Sequence, residues 1–406
     1  MPVSKQQTTV TESSTVVLRK GSLFVEAVSG LENLSRHAAA WNELAWASPQ
    51  RLPMASYAWV VSYFDQLLSP GSQWICFFVY DGAMLLGVLP LEIGYRRSAG
   101  ISRLTLNTPL SPHTCSVDLL LKAGRESETL ELLIEGLAKA VPSWQQLELK
   151  CIPDLSPSVP TLSSTRLALV ISTLSGFGAY IPVDGSYQKY LDSLSRNFSH
   201  TLRRVNRKLS FLSDVRELFV ERENVRPEHL DRFLDVEATG WKAAVGTAIK
   251  QSDQLISFYR ALTARLAELG WLEYHFLEAE GKTIAAHLAV RMGRSLVLLK
   301  IGYDDAYAAY APGNNLMARV VEWAFARSDI DEINCLTDMA WHRNWQMPKR
   351  AYYDIRLYRK SPQAFMTGYL PERVRRTVAD LPGVSALARI LRKRRSTGSG
   401  PSHGGA

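Results

Sequence analysis

The stretch SLVLLKIGYDDAYAAYAPGNNLMARVVEWAFA, residues 295–326, decides the fold. Its first nine residues form an apolar run of strand length, and PGNNLMARVVEWAFA follows about ten residues later with Leu316, Val320, Trp323 and Ala324 on one side of a helix. Between them stands Ala311-Pro312-Gly313-Asn314. A helix start leaves backbone N–H groups unpaired and aligns its dipole with them, which favours an anion such as a pyrophosphate. Gly313 permits close approach of such a group, whereas Pro312 removes one donor. The same dipeptide also serves as ordinary turn chemistry before a helix.

Outward from this stretch the layout repeats. WICFFVYDGAMLLGVLPLEI (74–93) reads as a hairpin turning at Asp81-Gly82, and YHFLEAEGKTIAAHLAVRM (274–292) as one turning at Glu280-Gly281. After each comes a helix and then a strand, in 128–150 and again in 314–336. Aligned without a gap, Leu130, Ile134, Ala140 and Leu147 fall opposite Leu316, Val320, Ala326 and Ile333. This predicts two copies of one α/β unit, at 22–172 and 178–360. Residues 152–178, rich in Ser, Pro and Gly, read as the joint, residues 1–21 as a flexible lead-in and 361–406 as a basic tail.

The chain of 406 residues carries a net charge of +8, but residues 371–395 alone hold eight basic residues against Glu372 and Asp380, a net +6. The body is nearly neutral. Four cysteines without metal-type or paired spacing predict a reduced, cytoplasmic protein. Leu381, Val384, Leu387, Ile390 and Leu391, interleaved with the basic cluster, suggest either a solvated tail or peripheral contact with the inner surface of a membrane. No stacking aromatics accompany these charges, which argues against sequence-specific nucleic-acid binding. The sequence has no phosphate-binding P-loop, no G-x-G-x-x-G, no G-x-S-x-G and no H-E-x-x-H, so metal, nicotinamide and kinase-type chemistry are not expected.

A second basic segment, SRNFSHTLRRVNRKLSFL (195–212), puts Phe198, Leu202, Val205 and Leu209 at helical spacing and sets Arg196, Arg203, Arg204, Arg207 and Lys208 among them. It reads as a solvated face or as a wall for phosphate groups. Among titratable residues, Glu237 lies one helical turn before Gly240-Trp241-Lys242, and His287 sits in a strand, so either is a candidate base. Tyr303, at the end of the central strand, is a candidate proton donor, in competition with Tyr307 and Tyr310. Lys300 in the same apolar strand calls for a partner, for which Asp304 and Asp338 are available.

Several segments resemble the CelD/BcsL-like branch of the GNAT acyltransferases, associated with cellulose and exopolysaccharide synthesis. They are FSHTLRRVNRKL (198–209), EATGWKAAVGTAI (237–249), FYRALTARLAELG (258–270), residues 281–317 and DMAWHRNW (338–345). The likeness is looser over WNELAWASPQRLPMASYAWVVSYF (41–64) and LGVLPL (86–91). It implies an α/β fold of two tandem GNAT-like domains, each a mixed, mostly antiparallel sheet flanked by helices, as in FemAB-type aminoacyl ligases. It also implies acyl transfer from acetyl-CoA or another acyl-CoA, without a metal, to a small-molecule acceptor such as an amino sugar. On that reading Tyr310, Ala311, Gly313, Asn314 and Asn315 hold the donor, in place of the family's Q/R-x-x-G-x-G/A loop. Glu237, His287, Tyr303 and Asp338 serve catalysis, and Trp241, Lys242, Lys300, Asp304, Arg203 and Arg207 bind substrate. His342 stands where the family pattern leads one to expect lysine. A charged tRNA as donor, and a silent scaffold that kept the fold, are the alternatives.

Overall fold

The computed structural model describes residues 13–98, 101–113, 118–240 and 248–379. Its strands are β1 (Ser14–Lys20), β2 (Leu23–Val28), β3 (Gln73–Asp81), β4 (Met84–Ser98), β5 (Ile101–Asn107), β6 (Leu120–Leu121), β7 (Gln146–Pro153), β8 (Ala168–Pro182), β9 (Arg216–Glu221), β10 (Leu272–Ala279), β11 (Lys282–Met292), β12 (Ser295–Tyr303), β13 (Glu332–Asn334) and β14 (Lys349–Arg359). They form one sheet in the order β1-β2-β3-β4-β5-β7-β14-β8-β13-β12-β11-β10-β9, with β6 beside β4.

The repeat is visible in this order. In the first unit β2 to β5 are antiparallel and β7 returns parallel to β5; in the second, β9 to β12 are antiparallel and β13 returns parallel to β12. A parallel return needs a crossover. The helices Glu126–Ala140 and Pro312–Phe325 provide it. The aligned Leu147 and Ile333 occupy equivalent places, opposite Leu106 and Leu296. Both predicted hairpins form: Gly82 has φ 57°, and Glu280 and Gly281 have φ 52° and 72°, the left-handed values that a two-residue turn between twisted strands demands.

Three expectations about boundaries are corrected. Residues 14–20, read as flexible, form β1, because Val16 to Leu18 favour a strand and Gly21, at φ 63°, turns the chain back onto β2. The expected joint is not a linker: β8 runs through the middle of the sheet, pairing with β14 along Ala168–Ala179 and with β13 along Tyr180–Pro182. β14, the last strand of the second unit, returns to lie beside β7 of the first. Each unit thus ends in a strand at the shared centre. The expected tail begins with structure, since the helix Leu370–Ala379 is tied back by Glu372, which accepts from Arg356 at 3.1 Å and Arg376 at 2.9 Å. The apolar residues of the tail from Leu381 onward lie outside the described residues.

Apolar burial explains why the two units do not stand apart. One core lies under the helix Glu126–Ala140, and another under the helices Pro312–Phe325 and Arg196–Leu209. The third lies on the opposite sheet faces, where helices 38–47 and 57–66 of the first unit meet helices 227–237 and 253–268 of the second. There Trp59 packs edge-on to Phe258 at 5.8 Å, and both are buried. Side chains of this size each contribute about 1.5–3 kcal/mol on burial. Separating the units would expose them together.

Candidate active site

The second unit contains a wedge. β12 and β13 pair only over Ser295–Val297 against Glu332–Asn334, after which β13 ends and β12 runs on to Tyr303. A bulge marks the divergence: Ala289 pairs with Leu298 and Leu288 with Lys300, which leaves Leu299 as the extra residue on β12. Such an insertion bends the strand and increases its twist. Leu298 still belongs to the core beneath the helix Pro312–Phe325, and beyond the bulge Tyr303 packs at the edge of that core.

At the open end of the wedge, strand end and helix start meet. A Cβ placed on Gly313 would lie 3.5 Å from the Tyr303 ring. Ala311 adopts φ 46°, ψ 57°, and no side chain caps the helix that begins at Pro312. Asn315, buried, donates from Nδ2 to the Tyr310 carbonyl at 2.8 Å, fixing the approach to the helix. The turn 310–315 is thereby held in shape by Asn315, while Gly313 and Asn314 are only half-buried at its outer side. Pro312 to Asn315 are already the first turn of the helix.

The helix Pro227–Glu237 abuts the opposite side of β12. A Cβ on Gly302 would fall 3.0 Å from the Glu237 Cα, and one on Gly240 would fall 2.9 Å from the Tyr303 carbonyl oxygen. Glu237 is buried, and its Oε2 accepts from the Ile249 N–H at 2.9 Å. Tyr303 is partly buried; burial first, then the neighbouring Asp305, raises its hydroxyl above the usual tyrosine range and keeps it protonated at neutral pH. That state suits a proton donor.

His287 is set differently from expectation. It lies opposite Ile301 on β12 and opposite His275 on β10, beneath the crossover helix, and is 3% exposed. Burial, with His275 as a second cause, holds it well below the ordinary histidine range, so it is a weak base at neutral pH. His275 is the residue sequence reading missed. The signal was present, since a two-residue turn at 280–281 places the two histidines almost directly across the hairpin.

The remaining candidates separate. Asp304 accepts from the Ala306 N–H at 2.9 Å, capping a short turn, and Asp338 pairs with Lys349 at 2.5 Å. Tyr307 donates to Glu280 at 2.9 Å, which removes it from the competition for proton donor. In the segment 338–345, His342 Nδ1 accepts from the Met339 N–H at 2.9 Å, and buried Trp345 packs edge-on against Phe198 at 5.2 Å. That contact seats the basic helix Arg196–Leu209, which turns Phe198, Val205 and Leu209 inward and leaves Arg196, Arg203, Arg204, Arg207 and Lys208 exposed. Its Asn206 accepts from Arg319 of the crossover helix at 3.4 Å, so the basic face flanks that helix. Trp241 and Lys242 lie outside the described residues.

Residues 196–345, which hold the wedge, the crossover helix and the basic wall, match the family model described as an acetyltransferase (GNAT) domain. This part of the chain is similar to GNAT acetyltransferase domains. The match supports an N-acyltransferase. No curated protein matches the chain by sequence. Among solved structures, FemX is similar at 8% identity with TM-score 0.53, over 78% of this chain and 95% of that one. The C-terminal domain of a candidate lysylphosphatidylglycerol synthetase from Agrobacterium fabrum is similar at 9% identity with TM-score 0.50, over 83% and 96%. At this identity the two likenesses speak to the fold, and they span both units. A tandem GNAT protein from the clavulanic acid biosynthesis pathway is also found, at 12% identity and TM-score 0.43, over 83% and 99%.

Proposed function

We propose that the protein transfers an acyl group from acyl-CoA to the amine of a small acceptor, an amino sugar or related metabolite of exopolysaccharide or cell-envelope synthesis. The observation that carries this reading is the wedge between β12 and β13, whose mouth holds Gly313 and the uncapped helix start against Tyr303. The helix start suits a pyrophosphate, and the exposed Arg203 and Arg207 suit a further phosphate. The thioester then lies along the end of β12. The acceptor nitrogen attacks the thioester carbon, a C–N bond forms and the C–S bond breaks. Glu237, directly or through water, takes the amine proton, and Tyr303 protonates the departing thiolate. His287, buried and weakly basic, is left with a structural part. The acceptor class comes from the likeness to CelD/BcsL-like proteins, as does a place beside a membrane-bound polysaccharide machine.

Calorimetric titration with acetyl-CoA and longer acyl-CoAs tests the donor, with Gly313→Trp as the control. The expected result is saturable binding that the variant loses. Absence of binding to every acyl-CoA would refute it. A second reading, in which a charged tRNA is the donor as in FemAB-type ligases, is favoured by the row of exposed arginines on the helix Arg196–Leu209. It calls for binding of aminoacyl-tRNA with steep salt dependence.

A further inference from the structure

The last described helix lies on the sheet with its polar side inward. The chain is helical from Pro362 to Ala379, with a π-helical turn over Phe365–Tyr369. Glu372 accepts from Arg356 of β14 at 3.1 Å, and Arg376 donates to the Ser172 carbonyl of β8 at 3.4 Å. A Cβ on Gly368 would lie 2.5 Å from Arg103 Nη1 and 2.7 Å from the Tyr358 ring, so the helix is seated directly on the sheet. The bed beneath it is polar: Arg356 also donates to Glu148 at 2.6 Å, and Arg103 donates to the Thr367 carbonyl.

A helix on such a bed turns its apolar side away. Met366, Leu370, Val374 and Val378, four residues apart in sequence, are 37–59% exposed and form one stripe. In a surface helix of a globular protein that stripe faces the core. Here it faces outward, and exposed Phe365 beside it shares a shallow groove with Leu169, Pro362 and Lys360. Arg373 and Arg375 fall about 100° to either side of Val374, one on each flank of the stripe. Arg96, opposite Arg103 across the β4–β5 hairpin, adds a further charge on this face of the sheet. Arg96, Lys360 and Arg373 are exposed and have no ion-pair partner among the described residues. The nearby carboxylates are engaged: Glu148 by Arg356, Glu372 by Arg356, Arg375 and Arg376, and Asp354 by the Cys151 N–H at 3.0 Å.

We propose that this face docks on a membrane surface containing anionic lipid, with the apolar stripe entering the headgroup boundary and the flanking arginines meeting lipid phosphates. Charge complementarity selects this occupant. A second copy in a two-fold contact would set the same arginines against one another. Residues 380–406 carry five basic side chains against Asp380, the same sign as the face, and so are poorly suited to cover it. A lipid surface supplies both an apolar layer and the opposite charge. The inference uses the folded helix and not the apolar residues from Leu381 onward. It is independent of the acyl-transfer reading, since neither donor nor turnover enters its test.

The test is co-sedimentation of the full chain with vesicles of phosphatidylcholine alone, and of phosphatidylcholine with about one-third phosphatidylglycerol. Partition onto the anionic vesicles is expected to exceed that onto the neutral ones by at least about tenfold, and to weaken between about 0.1 M and about 0.5 M salt. Leu370→Gln with Val374→Gln, both at exposed positions where glutamine is a good helix former, is expected to lower partition by about tenfold or more while thermal unfolding is unchanged. Arg373→Gln leaves the Glu372 pairs intact and is expected to lower partition by about fivefold. No partition onto either vesicle, or equal partition onto both, would overturn the proposal. Undiminished partition in the double variant would also overturn it, and loss on replacing Arg392, Lys393, Arg394 and Arg395 by glutamine would then place the contact in the tail. A dimer by light scattering that the double variant dissociates would assign the stripe to a second copy, again overturning it.

Discussion

Replacing Gly302 by alanine puts one methyl group where there is no room for it. The new Cβ would meet Glu237 Cα at 3.0 Å and its Cβ and N at 3.3 Å. Carbon atoms prefer about 3.5–4.0 Å, and these neighbours are backbone or next to it, so no rotamer change relieves the contact. The helix Pro227–Glu237 has to move away from β12 by several tenths of an ångström. Overpacking of this kind costs about 1–3 kcal/mol. At roughly 2.1 cal/mol/K per residue, the unfolding entropy of 406 residues is about 0.85 kcal/mol/K, so the melting temperature should fall by about 1–4 °C. The effect on turnover should be larger. Glu237 and Tyr303 flank Gly302, and displacement of a reacting group approaching 1 Å costs up to about a hundredfold in rate. Thermal unfolding and coenzyme A release from acetyl-CoA measure the two effects. Gly313→Ala is the control, because its Cβ would meet only the Tyr303 ring at an ordinary 3.5 Å. A Gly302→Ala protein that melts and turns over like the wild type would refute the packing argument. Equal losses in the two variants would refute the claim that the 3.0 Å approach is what distinguishes them.

Two further predictions concern stability. His287 is held well below the usual histidine range by burial and by His275. In the unfolded chain it titrates near pH 6.5, so on acidification the unfolded state takes up a proton that the folded state refuses. Stability is therefore unaffected above about pH 6.5 and falls below it, by up to about 1.4 kcal/mol per pH unit. Denaturant midpoints from pH 7 to 5 should fall less steeply in His287→Asn, and superimposable slopes would refute the assignment. The buried pair of Arg350 and Glu332, at 2.8 Å, reaches across β8 from β14 to β13, and Ser295 also donates to Glu332 at 2.9 Å. Glu332→Gln should cost about 3–5 kcal/mol by leaving the buried guanidinium with only the more exposed Asp154, at 3.9 Å, whereas the double change Glu332→Leu with Arg350→Met should cost less than the single one. Chemical denaturation separates the outcomes, and a double variant weaker than Glu332→Gln would count against the pair.

How much of this was legible in the sequence follows from the range of each interaction. The two hairpins, the two crossover helices and their equivalence were readable because periodicity and turn chemistry act within a few residues: Gly82, Glu280 and Gly281 turn where their types allow. The helix start at Pro312 was readable for the same reason. The exchange of β8 and β14 was not, since pairing Ala168 with Arg359 depends on contacts far apart in the chain. Nor was the true state of the polar candidates. Asp338 looked available until Lys349 came to it from a later strand, and Tyr307 until Glu280 arrived from the hairpin turn. The close approach at Gly302 depends on a helix that begins 75 residues earlier in the chain, at Pro227. By itself the sequence determined a tandem α/β protein with a helix starting at Pro312, because backbone propensity and apolar spacing are local. Only the tertiary structure decided which carboxylates, imidazoles and hydroxyls remain for chemistry, because burial and pairing are set by whichever residues the fold brings alongside.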